Sequence, residues 1–150
     1  MLTAYEHMKL SRIFNTAECI PFDDTSKIVI MSDCHRGDGS WADTFSKNQN
    51  IYYAALNYYY NMDYTYIELG DGDELWENYE ISDIINQHRD VFVLLSKYIN
   101  RGKIYFIFGN HDIVKRNKGF ERSSKYRLMR DKDKVDLSLF EKIKFHEDWF

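Results

Sequence analysis

Three short runs of apolar residues punctuate the chain, at positions 27–31, 64–69 and 103–108. Each is rich in β-branched or aromatic residues and bounded by polar ones, so each reads as a strand, the third as the most buried. Between them the apolar positions recur at helical spacing. From Asp43 onward the pattern is Phe45, Tyr52, Ala55, Leu56 and Tyr59, with Asp43 or Thr44 as the N-cap. From Ser82 it is Ile85, Phe92, Leu95 and Ile99, closing at Gly102, a suitable residue just past a helix end. Strand, helix, strand, helix, strand predicts right-handed βαβ units: an α/β fold with a parallel-rich sheet and flanking helices.

Beyond the third run the composition shifts. Residues 115–134 hold nine Lys or Arg against three Asp or Glu in a chain of formal net charge −4. This stretch reads as a basic helix with a solvated face, near enough to the third strand to steer an anionic substrate. A short helix at 137–140 and the start of a fourth strand at 142–146 complete the pattern. With no linker or repeat, 150 residues predict a single domain. The 44% hydrophobic and 29% charged content belongs to globular rather than disordered chains, and the acidic balance argues against a nucleic-acid partner. Two unpaired cysteines, no secretory leader and no apolar run of ~18 residues predict a cytoplasmic protein without a membrane span.

Candidate chemistry gathers at the strand ends. Asp33 and His35 follow the first strand, Asp71 the second and Asn110 the third, at near-equal spacing along the chain. In a parallel sheet those positions fall on one C-terminal edge, where open α/β sheets bind ligands. Two carboxylates, an imidazole and a carboxamide suit Mn, Fe or Zn better than Mg or Ca, and no thiolate set for structural zinc is present. Asp71 has two oxygens with which to bridge cations ~3.5–4 Å apart. Gly70 and Gly109 permit sharp turns beside it. Arg36, next to His35, is a candidate phosphate contact. Cys34 reads as a small buried residue pointing away from its neighbours, and His88 as a core or boundary residue. Tyr58, Tyr59 and Tyr60 read as packing rather than a base-stacking platform.

The blocks Asp33-Cys34-His35, Gly70-Asp71-Gly72-Asp73-Glu74 and Gly109-Asn110-His111-Asp112 together resemble the first three motifs of the calcineurin-like metallophosphoesterases. The resemblance covers roughly residues 27–146. It implies the first half of an α/β/β/α sandwich and hydrolysis of a phosphate ester at two divalent ions. Asp33 and His35 would hold the first ion, Asp71 would bridge, and Asn110 would hold the second. His111 would contact the phosphate or protonate the leaving oxygen, Asp112 would orient its ring, and Glu74 would support the ligands from behind. Residues 70–76 are also similar to the UDP-diacylglucosamine pyrophosphatase branch, without naming a substrate. The family's later lone His and its Gly-His-x-His block have no counterpart in these residues. The expectation is therefore weak metal retention and negligible turnover by this chain alone, with self-association or a complementing C-terminal half. The alternative is a truncated, non-catalytic remnant that binds metal weakly or serves as an interaction module.

Overall fold

In the computed structural model, which describes residues 3–17, 19–117 and 120, the chain divides into two compact units. One contains helix α1 (Ala4–Thr16). Thr3 accepts the Glu6 backbone N–H while the Thr3 N–H donates to the Glu6 carboxylate, a reciprocal cap that satisfies two free helix donors. None of the α1 residues is buried.

The larger unit begins at Lys27 and carries the sheet. Strands β1 (Ile28–Met31), β2 (Thr65–Leu69) and β3 (Ile104–Ile107) pair in parallel in the order β1-β2-β3. The crossovers are α2 (Gln49–Asn61) and the pair α3 (Ile81–Gln87) and α4 (Arg89–Asn100). Both crossovers move the same way along the sheet, and right-handed connections then gather their helices on one face. Strand parity shows which face. Tyr66 and Glu68 of β2 are fully buried, and Val29, Met31 and Ile104 pack against the same core. On the opposite parity Ile30 is 59% exposed and Leu69 50%.

The core is Leu56 of α2, Ile84 and Ile85 of α3, and Val91, Leu94 and Leu95 of α4. Each such side chain contributes about 1.5–3 kcal/mol when fully buried. The Tyr98 hydroxyl donates to the Leu56 carbonyl at 2.9 Å and ties α4 to α2. The end of α4 follows the expected chemistry. Gly102 sits at φ +66°, its N–H donates to Ile99 O, and Lys103 N–H donates to Tyr98 O, closing the last turn.

Three local expectations change. The most buried strand is β2, because the order places it in the middle and leaves β3 at an edge among the described residues. Helix α2 starts at Gln49 with Asn48 as its N-cap, not at Asp43 or Thr44. Asp43 instead caps a preceding turn, accepting from the Ser46 N–H and hydroxyl, and also faces His88. The second helical stretch is broken at His88, whose backbone leaves helical geometry at ψ 35°. His88 is wholly buried, as expected of a core histidine, with Nε2 2.7 Å from Asp43 and Nδ1 3.0 Å from Gln49 Oε1. Tyr60 packs, as expected, against Tyr98 and under the Arg101 guanidinium. Of the basic stretch expected at 115–134 only 115–117 and 120 are described, and there Lys115 is buried against Asp73 and Asp112 rather than on a solvated face. Its remainder, the helix expected at 137–140 and the strand expected at 142–146 lie outside the described residues. No helix of the described residues is long and apolar enough to cross a membrane.

Candidate metal centre

Where β1 and β2 end, their loops stay paired. Asp33 N–H donates to Gly70 O, His35 N–H to Asp71 O and Arg36 N–H to Gly72 O, at 3.2, 2.9 and 3.1 Å. Within this ribbon the backbone is left-handed at Asp33, His35 and Asp71, with φ 52°, 49° and 51°. Among the described residues only one other non-glycine, Asp63, has positive φ. Such conformations cost on the order of 1–3 kcal/mol each and persist where the surrounding structure enforces them, often at functional sites. Their result is a convergence: one ligand atom from each of Asp33, His35 and Asp71 lies within 4.8 Å of the others.

The third loop closes on the same carboxylate. His111 N–H donates to Asp71 Oδ1 at 2.8 Å. A Cβ on Gly109 would stand 2.1 Å from that oxygen, so only glycine admits this approach. Asn110 sits exposed between Gly109 and His111, at the same sheet edge.

A second cluster adjoins the first. Glu74 accepts from His35 Nδ1 at 3.0 Å and from His111 Nδ1 at 2.7 Å. A carboxylate only accepts, so both rings carry their proton on Nδ1 and leave Nε2 available. The two imidazoles meet edge to face at 4.5 Å, and the Trp76 indole stacks on His111 at 4.0 Å while remaining 57% exposed. Burial pushes the Glu74 carboxyl up, but the hydrogen bonds from His111 and His35 outweigh it and hold it below the ordinary carboxylate range. Glu74 therefore stands as an anion that orients two histidines.

Two expected roles are not met by the geometry. Arg36 does not face the edge. It is wholly buried, forked onto Glu68 at 2.7 and 2.8 Å, with Nε on Asp73 at 2.7 Å. Buried carboxylates on two sides draw the guanidinium inward, away from any phosphate. Asp112 does not orient His111. It accepts from Gly109 N–H at 2.7 Å and from Lys115 Nζ at 3.0 Å, and so fixes the β3 exit loop. Glu74 does the orienting instead. Cys34 is half-buried against the core, and burial pushes its thiol up to about 11.

Asp73 lies at the centre of the buried network, between Arg36 and Lys115. Burial pushes its carboxyl up, yet the two cations outweigh that and bring it down to about 2. A depressed carboxyl stabilises the fold above its unfolded value near pH 4, and the contribution, roughly 2 kcal/mol, is lost as pH falls through about 2. The urea midpoint is expected to fall between pH 5 and pH 2.5, with a smaller fall in Asp73→Asn. Equal falls in the two proteins would show that Asp73 does not carry the effect.

Asp33, His35 and Asp71 form a donor set of two carboxylates and one imidazole, compact enough to fit a divalent cation, and Asn110 precedes His111, whose N–H reaches Asp71. No protein-family model matches the chain, and comparison with curated proteins and with solved structures finds no match either.

Proposed function

We propose that this chain carries the metal-binding half of a phosphoesterase of the calcineurin-like kind, acting on a phosphate ester at the C-terminal edge of its sheet. The observation that supports this reading is the convergence of Asp33, His35 and Asp71 through three left-handed backbone positions. Asp33, His35 and Asp71 would hold one divalent ion, Mn, Fe or Zn, and Asp71 with Asn110 a second. Bound ions would supply Lewis-acid stabilisation of charge on the phosphoryl oxygens.

The protein's own groups do the rest. Glu74 holds the His111 proton on Nδ1, which leaves Nε2 as the nitrogen that would donate to a leaving oxygen. Trp76 covers one face of that ring and limits water there. Glu74 at the same time fixes the ring of His35, a proposed ligand.

Calorimetric titration with orthophosphate tests the reading. Phosphate is expected to bind in Mn²⁺ and not in EDTA, and equal behaviour in both would contradict it. Exposed Ile30 and Leu69 favour a second reading: the sheet face opposite the helices serves association, and turnover belongs to an assembly. Light scattering after size exclusion is expected to show a dimer or larger species. A monomer with robust Mn²⁺-dependent turnover would show instead that the site is complete within one chain.

A further inference from the structure

Beside the proposed metal ligands a cleft of about 480 Å³ opens between the exit of β1 and the N-terminal half of α2. Its size falls within the range of small-molecule sites, about 300–1,000 Å³. Asp33 lines it, so the cleft and the cluster of Asp33, His35 and Asp71 share a residue. A phosphoryl group held at that cluster would therefore border the cleft at Asp33.

The lining says what kind of group fits. Phe45, Ile51 and Ala55 supply apolar wall, and Thr44 and Asn48 supply hydrogen-bonding groups. Asn48 is the N-cap of α2 but spends no side-chain hydrogen bond on capping. Among the described residues no Lys, Arg or His lines the cleft, and Asp33 is the one charged residue there. A second phosphate or a carboxylate entering there would lose hydration and, beyond the proposed ion at Asp33, find no cation among the described lining residues, which is costly. An aromatic ring would instead bury apolar surface against Phe45 and Ile51.

Resting on the phosphoesterase reading, we propose that this cleft receives the alcohol part of the substrate, and that this part is uncharged and of aryl size. The predicted substrates are phosphate esters of neutral aryl or similarly bulky alcohols, rather than compounds with a second phosphate on that side.

Non-hydrolysable phosphonates separate this claim from the one beneath it. In Mn²⁺, phenylphosphonate is expected to bind the full chain about 10–30-fold tighter than methylphosphonate, the increment that burial of one ring provides. Ala55→Trp fills the cleft and is expected to bring the ratio close to one, with methylphosphonate affinity unchanged. Ile51→Trp narrows the mouth from an exposed position, keeps the test open should Ala55→Trp misfold, and is expected to reduce the ratio. Methylphosphonate binding with no phenyl preference, or a preference that survives both variants, would overturn the cleft assignment alone. Absence of any Mn²⁺-dependent methylphosphonate binding would overturn the phosphoesterase reading as well.

Discussion

Arg36→Met is expected to destabilise the larger unit by about 3–5 kcal/mol, the usual cost of removing one partner from a buried ion pair. The guanidinium is wholly enclosed and serves two carboxylates, Glu68 on β2 and Asp73 in the following loop. Lys115 remains to compensate Asp73, whereas Glu68 loses its guanidinium partner and retains the hydroxyl of Tyr66 at 2.9 Å. Against a typical total stability of about 5–15 kcal/mol this is a large share. The double variant Arg36→Met, Glu68→Leu should recover at least half of the loss, because it removes the stranded charge along with its partner. Urea midpoints at pH 7 measure both. A single variant within about 1 kcal/mol of the parent, the size of an exposed pair, would mean that the network is not buried in solution.

His111→Ala is expected to lower kcat by about 10²–10⁴, the usual worth of a positioned proton-transfer residue, in whatever assembly turns over an aryl phosphate. Its Mn²⁺ content should change little, since His111 is not a proposed ligand. Glu74→Gln separates the two functions of the second cluster. Glu74 holds His35 as well as His111, so its loss should weaken metal binding by about 10–100-fold in addition to slowing turnover. Unaltered turnover in His111→Ala would refute the proton-transfer role. Weakened metal in Glu74→Gln with unchanged kcat would place Glu74 behind His35 alone.

The sheet was legible because its three strands are short, apolar and evenly spaced, a pattern that admits few alternatives to βαβ. The convergence of Asp33, His35 and Asp71 followed from that spacing and from the direction of a parallel sheet. What escaped was the pairing of charges across the chain. Glu68 shares strand parity with buried Tyr66, so an inward carboxylate in need of a cation was readable. That the cation is Arg36 depends on the loop pairing of residues 33–36 with 70–72, which no local pattern encodes. Arg36 was thus assigned outward by its proximity to His35 and turned inward by Glu68 and Asp73. The Asp43 cap was displaced in the same manner. Asp43 does act as a cap, but its second oxygen is held by a histidine 45 residues away, and the helix restarts later. The cap of α1 was readable as Thr3 followed by Glu6, while the unburied helix behind it has no core-facing stripe to reveal it.

Titration with Mn²⁺, followed by the electron paramagnetic resonance of the free ion, tests the metal centre most directly. With protein in large excess over metal, the wild-type chain is expected to reduce the free-ion signal, the uptake that a weakly retaining site allows. Asp71→Ala, which deletes the carboxylate shared by all three loops, should leave that signal nearly intact, with affinity lower by about 100-fold or more, beyond what a residue behind the ligands is worth. Equal Mn²⁺ uptake by the two folded proteins, or none by the wild type, would contradict a metal centre at Asp33, His35 and Asp71.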